Sequence, residues 1–597
     1  MADKDIPKGG EFLLIPGEPA RCFTVEDLTD EHRMIRQTAY DFVRGEILPR
    51  LDELEAEKNP ELVHKLMAQA GELGLLGTDV PEEFGGLGLD KISTAVVTEA
   101  FGIAGSFAVV QGAHTGIGTL PIVYYGNQEQ RAKYLPELAA GTKIGAYGLT
   151  ESGAGSDAVG GCRTKAVLSQ DGKHYILNGE KIFITNGGWA DIFVVFAKID
   201  GEQFSAFIVE RGFPGFSSGA EEHKMGIKGS STTPLIFEDC QVPVENLLYQ
   251  PGKGHHIALN VLNIGRYKLG AATVGSCKEV LDMAAKYAAE RVQFGRPIIE
   301  FGAIREKLAR MCCKAYINES LNYRTVGLID AALEGMDPNH PDYPDQASQA
   351  IREYNIECSI SKVFGSEALD YIVDENVQIH GGYGFVSEYA AERCYRDSRI
   401  NRIYEGTNEI NRLLIPGELL KRAMKGRLAL MPAAQKLQGE IMDYMPALVE
   451  LPEEPLAYQA HMIEMCKKAV LFVAGVAAQK FMQKLAQEQE ILLRVADMVI
   501  ETFAMESGLL RARKALASQG EDKARIHLDM VAAYVDETIP RLHQIANEAL
   551  AMCAEGDELR MLLIGLRKLL KYQPQNGIAL RRAIAEVVAD RGGYPLQ

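Results

Sequence analysis

The residue with the clearest chemical potential is Glu405, in RIYEGTNEINR (402–412). It follows three large residues and precedes Gly406 and Thr407, where a helix interior would favour alanine or leucine over glycine. Taken alone, the stretch reads as a helix start. Thr407 is the N-cap, Ile410, Leu413 and Leu414 give helical apolar spacing, and Glu405 is a solvated loop carboxylate. Other candidates are weaker. GAGSDA (153–158) matches a GxGxxA dinucleotide fingerprint but lacks the strand before it and helix after it that the motif needs. Its glycines can still bring backbone amides close to an anionic ligand. His380, in QIHGGYG, has no serine or cysteine nucleophile pattern to serve and reads as a packed or hydrogen-bonded residue. The basic stretch LRKLLKYQ (566–573) reads as a solvated helix face.

Three textures must position these residues. From 29 to 146 apolar residues recur three and four apart between charges, predicting helices. From 147 to 250 short runs rich in Ile, Val, Phe and Tyr, such as HYILNGEKIFITNG and ADIFVVFAKI, predict a small antiparallel barrel or sandwich. Helical pattern returns over 251–425, interrupted by an expected loop, EGMDPNHPDYPDQ. A softer Pro- and Gly-containing region follows, and 430–597 reads as a separate all-helical block, with 1–28 as an N-terminal arm. The fold class is α+β, with strands and long helices segregated rather than alternating.

Composition excludes several classes. At 597 residues the chain is too long for one core. A net charge of -18 argues against nucleic-acid binding. The ten cysteines form no CxxC pairs and there is no HExxH, so neither a disulfide framework nor a metal site is expected. No signal or transit pattern opens the chain, and its longest apolar run (469–478) is too short to span a bilayer. A cytoplasmic protein is expected.

Six segments change the weight given to Glu405: AYGLTESGAGSDA (146–158), KIFITNGG (181–188), NVLNIGRYKLGAA (260–272), ERVQFGRPIIEFGAIREKLARM (290–311), QIHGGYGF (378–385) and RIYEGTNEINR (402–412). Their order and spacing, over about 25–425, resemble the acyl-CoA dehydrogenase family. The helical extension past 430 makes the chain most similar to the very-long-chain branch. The resemblance implies an N-terminal helical domain, a middle β-barrel domain, a helical bundle domain and the all-helical C-terminal extension. It implies FAD as cofactor and α,β-desaturation of a fatty acyl-CoA thioester in β-oxidation, with Glu405 as the base that takes the α proton.

By the same resemblance, Tyr147, Leu149, Thr150, Gly155, Ser156, Phe183, Ile184 and Thr185 contact the flavin, with Gln378, Gly381, Gly382, Thr407 and Glu409. Arg291, Gln293, Phe294 and Phe301 match residues that reach the flavin's nucleotide half from a neighbouring subunit. Ser156, Leu262, Asn263, Arg266, Tyr404 and Gly406 match substrate contacts, with Arg266 expected near the CoA phosphates or adenine. The chain departs from the family pattern at three positions. Ser152 replaces a usual proline, Phe183 replaces the commoner tryptophan beside the flavin, and Glu409 stands where glutamine or aspartate is frequent. Two branches of the family carry the base just before the arginine of the NIGR segment. That position here is Gly265, so no rival carboxylate exists there. Further expectations are a homodimer, an electron-transferring flavoprotein as acceptor, and peripheral membrane contact through the extension. GAHTGIGTLP (112–121) is expected to line the deep end of an acyl pocket. An acyl-CoA oxidase, or a catalytically weak relative acting in assembly, are the alternatives.

Overall fold

The computed structural model describes residues 6–57, 59–337, 340, 342–441, 443–446 and 451–596. Parts of the arm, of the expected loop 334–346 and of the junction before 455 lie outside the described residues.

Side-chain caps set the N-terminal helices. Thr29 accepts from His32 N at 3.2 Å to start Asp30–Phe42, and Asp90 accepts from Ser93 N at 2.7 Å to start Lys91–Phe101. Asn127 and Gln130 form a reciprocal capping box at Gln128–Ala139. These helices lead into an eight-stranded sheet: β1 (Gly145–Gly148), β2 (Lys165–Leu168), β3 (His174–Thr185), β4 (Ile192–Ile199), β5 (Gln203–Glu210), β6 (Phe216–Ser218), β7 (Thr232–Pro243) and β8 (Leu247–Leu248). The order is β6-β7-β3-β2-β4-β5-β8, with β1 beside β4.

The sheet is mixed rather than purely antiparallel, because β1 and β2 both run parallel to β4. The intervening chain is long enough to make those crossovers, whereas the tight β4–β5 connection leaves only an antiparallel pairing. The β3–β7 ladder slips in register between Lys181 and Ile184. That irregularity puts Phe183 at φ 58° and turns it outward while Ile184 stays in the core.

Two long helices, Gly254–Glu290 and Asn355–His380, cross at close range, and small residues allow it. A Cβ on Gly365 would lie 2.3 Å from Thr273 Oγ1, and one on Gly270 would lie 3.1 Å from Ser361 Cβ. Past the helix Asn408–Met424, the C-terminal block comprises Leu430–Glu440, Ala457–Phe481, Gln489–Gln519, Glu521–Cys553, Gly556–Leu569 and Gly577–Arg591. It reads as separate in sequence but is not separate in packing. Its apolar residues join one core with the bundle, and Phe503 meets Phe12 of the N-terminal arm with ring centroids 4.8 Å apart. Among the described residues no helix is long and apolar enough to cross a membrane.

Candidate active site

Glu405 sits in the turn between Arg399–Arg402 and Asn408–Met424 with φ 57°, a conformation that costs a non-glycine residue about 1–3 kcal/mol. Gly406 follows at φ 77°, and Thr407 then caps the next helix by accepting from Ile410 N at 3.3 Å. The carbonyls of this turn all point at donors. Asn411 Nδ2 reaches the Glu405, Gly406 and Thr407 oxygens at 3.3, 2.8 and 3.1 Å, Lys362 Nζ reaches Gly406 O at 2.8 Å, and Arg266 Nε approaches Glu405 O at 3.5 Å. With its main chain so held, the side chain is directed into a cavity.

That cavity has a volume of about 330 Å³ and is mostly apolar, with Glu405 and Tyr404 at one wall beside Gly265, Leu269 and Thr185. The Oε2 atom of Glu405 is out of contact with solvent and has no hydrogen-bond partner. Burial raises its carboxyl to about 7, against the pull of Arg266 and Lys362. A Cβ on Gly265 would stand 2.3 Å from Oε2. Gly265 therefore does more than lack a rival acid: it makes the space the Glu405 carboxylate occupies.

Other predicted residues fall into two groups. Ile182 N donates to Thr150 O at 2.9 Å, which draws 147–150 and 181–185 side by side. The side chains of Leu149 and Ile184 belong to the core, so only their backbone groups can face a ligand. Tyr147 is buried with its hydroxyl unpartnered, and burial and Glu405 both push that hydroxyl upward. Phe183 is 62% exposed, Ser156 is exposed, and a side chain on Gly155 would meet nothing. In the second group, Arg291, Gln293, Phe294 and Phe301 with Gln378, Gly381 and Gly382, Arg291 is the residue seen against the 378–385 segment. Arg291 lies 5.4 Å over the Tyr383 ring, and both glycines open onto free space. Phe294, at φ 49° in the hairpin Val292–Gln293/Arg296–Pro297, is 94% exposed. Glu409 is exposed in the first turn of its helix. His380 donates from Nδ1 to Asn376 O (2.9 Å) and stacks on Tyr287.

Arg266 departs from expectation. It is 5% exposed, donates to Asn263 Oδ1 at 2.8 Å and lies under the Glu405 carbonyl, so it holds the Glu405 turn and does not face an exposed phosphate. Asn263, likewise buried, is committed to Arg266, whereas Leu262 is half-buried. Sequence reasoning missed Lys362. The signal was a lysine inside the apolar helical run Ile360, Val363, Phe364. It also missed the Glu151–Lys181 pair (2.6 Å), in which Glu151 accepts further from Thr164 Oγ1 at 2.6 Å and Arg163 N at 2.7 Å and so fixes the turn ahead of Gly155.

Comparison with known proteins places the chain. Models described as acyl-CoA dehydrogenase N-terminal, middle and C-terminal domains match residues 29–142, 146–240 and 252–420, and a further acyl-CoA dehydrogenase C-terminal domain matches 465–568. The chain belongs to the acyl-CoA dehydrogenase family. A probable acyl-CoA dehydrogenase of Bacillus subtilis (strain 168) is 52% identical over 600 residues, covering 100% of both chains. The very long-chain specific acyl-CoA dehydrogenase of Rattus norvegicus mitochondria is 36% identical, over 85% of this chain and 78% of its own. The crystal structure of acyl-CoA dehydrogenase complexed with FAD from Bacillus anthracis superposes with a TM-score of 0.95 at 52% identity, covering 98% of this chain and 99% of that one. The family's members are FAD-dependent oxidoreductases, and the fold described above is that of the Bacillus anthracis enzyme, C-terminal helical block included.

Proposed function

We propose that this chain is an acyl-CoA dehydrogenase of fatty-acid β-oxidation that uses FAD to desaturate an acyl-CoA thioester between its α and β carbons. The observation that carries the reading is Glu405 Oε2: buried, unpartnered, on the wall of an apolar cavity, with a basicity raised to about 7. A carboxylate in that state takes a proton from carbon far more readily than a solvated one. The residues fit FAD. The orphaned Tyr147 hydroxyl, the exposed Phe183 ring and the open backbones at Gly155, Gly381 and Gly382 offer a hydroxyl, a stacking face and close approach. Bound FAD would supply the acceptor for the β hydride.

The protein's own part follows from the turn. Asn411, Lys362 and Arg266 hold the backbone so that Oε2 reaches the α carbon without reorganising. The apolar cavity keeps water from the base. Gly112, Thr115, Gly116 and Ile117 line the cavity, and a Cβ on Gly112 would touch nothing, which supports room for a long acyl chain. His114 does not line it; its Nδ1 accepts from Gly145 N and its Nε2 donates to Leu138 O, each at 2.9 Å. The exposed hairpin around Phe294 suits contact with a second copy of the chain, in keeping with a homodimer whose subunits complete each other's flavin sites. An electron-transferring flavoprotein is the proposed acceptor.

The test is anaerobic titration of the purified yellow protein with saturated acyl-CoA of increasing chain length. Bleaching, greatest with long chains, is expected. A protein without FAD, or one that bleaches with no chain length, overturns the reading. Peroxide formed stoichiometrically in air would assign an oxidase instead.

A further inference from the structure

Lys362 lies in the first third of Asn355–His380 and is completely buried. Its ammonium donates to Gly406 O at 2.8 Å and to Asn408 Oδ1 at 2.6 Å, two neutral oxygens that bracket Thr407 at the exit of the Glu405 turn. Neutral acceptors need only a neutral donor, and burying a cation for them is costly. A glutamine or asparagine at 362 would satisfy such oxygens with less desolvation. Burial, helped by Arg266, pushes the Lys362 ammonium down to about 7 against the pull of Glu405, Glu367 and Glu409, so its charge is present below that pH, where Glu405 must give up its proton to act as a base.

The ammonium is also aimed. Asn408 is fixed through Nδ2 to Ser366 Oγ and Glu367 Oε1, each at 3.0 Å. Glu367 is gripped by both arms of Arg412 at 2.7 and 2.8 Å, and Arg412 Nε reaches Asp497 Oδ1 at 2.7 Å. Asp497 belongs to Gln489–Gln519 of the C-terminal block, so a continuous polar chain runs from that block to the turn.

We propose that Lys362 is a positioning residue for the reaction, holding the Glu405–Thr407 turn through the Gly406 carbonyl and using its buried charge to keep the Glu405 carboxylate available as the base. This rests on the reading of Glu405 as that base. The groups facing Glu405 are Arg266 from Gly254–Glu290, Lys362 from Asn355–His380, and the hydroxyls of Tyr147 and Tyr404. Those facing Lys362 are Glu405, Arg266, Glu367 and Glu409. Burial raises the Glu405 carboxyl while Arg266 and Lys362 lower it, so deleting the Lys362 charge moves its titration to higher pH.

The experiment uses full-length FAD-loaded protein as wild type, Lys362→Met, Lys362→Gln and Lys362→Arg. Anaerobic single-turnover flavin reduction by a saturating long-chain acyl-CoA is followed from pH 5.5 to 9, with FAD content and Tm measured alongside. In the wild type the rate rises with pH through about 7. In the Met and Gln variants that limb is expected to move up by about one pH unit or more, a fall of about tenfold at pH 6, and in the Arg variant to return. Gln keeps a donor for Gly406 O, so a shift there reports charge and not a lost hydrogen bond. An unmoved limb in both neutral variants, whatever happens to Tm, overturns the proposal. So does failure of both to retain FAD, which would make Lys362 part of the scaffold. A wild type that is not reduced, or that shows no such limb, refutes the base assignment itself.

Discussion

Two glutamates, Glu405 with its Oε2 sealed from solvent and the fully buried Glu319, are driven to opposite states by their surroundings. Glu319, fully buried on Gly302–Leu333, bonds Arg511 Nη1 and Tyr594 OH at 2.7 Å each and also pairs with Lys278. Next to it Glu99 accepts from Arg36 and Lys278 at 2.9 Å and from Tyr323 OH at 2.6 Å. Burial pushes both carboxyls up, but direct cation contact more than offsets it and holds both low. At Glu405 the same burial prevails. Its two cations spend their hydrogen bonds on backbone and amide oxygens, and neither touches the carboxylate. A permanently charged carboxylate ties elements together, as Glu319 ties the bundle to the C-terminal block. One left near neutrality, in an apolar wall, can exchange a proton.

The largest expected effect breaks the Glu405 side of this contrast. Glu405→Gln should still bind FAD and acyl-CoA but reduce the flavin roughly 10²–10⁴-fold more slowly in stopped-flow measurement, and a variant near the wild-type rate would remove Glu405 from the chemistry. Gly265→Ala keeps the carboxylate and displaces it, since the new methyl would lie 2.3 Å from Oε2. Reduction should slow by about 10²-fold with Tm little changed.

Arg511→Met attacks the other region. It takes one buried cation from Glu319, which keeps Lys278 and Tyr594, and removes the guanidinium paired with Glu26, and should lower stability by about 3–5 kcal/mol in denaturant titration. The pH midpoint of flavin reduction should stay where it is.

A gentler test compares pH dependences of stability. The Glu405 carboxyl is raised in the fold to about 7, so it favours folding below its ordinary value of 4.5 and loses that contribution as pH rises through 7. The Tm of Glu405→Gln should therefore gain on the wild type between pH 5 and 8. Least of all, Glu409→Gln, at an exposed helix N-terminus, should cost only about 0.3–1 kcal/mol in stability. A large loss of FAD affinity would instead show that Glu409 contacts the flavin.

Much of this was legible in the chain. The succession of helical and β-rich textures located the sheet, because side-chain periodicity is a local property, and Thr407 marked a helix start for the same reason. Glu405 and its glycine neighbour stood out as a motif. The parallel pairings of β1 and β2 with β4 did not, since pairing partners far apart in sequence leave no local signature. Arg266 was misplaced because a motif shows that an arginine is present, not which way it turns.

The sequence by itself determined the succession of elements, the family and the one carboxylate without a rival. Only the tertiary structure decided what state that carboxylate is in. Its basicity depends on the apolar cavity around Oε2 and on two cations contributed by helices about 140 and 43 residues away in the chain. Electrostatics acts through space and solvent exclusion, so charges distant in sequence set the proton affinity of a residue whose own neighbours say only that it sits in a turn.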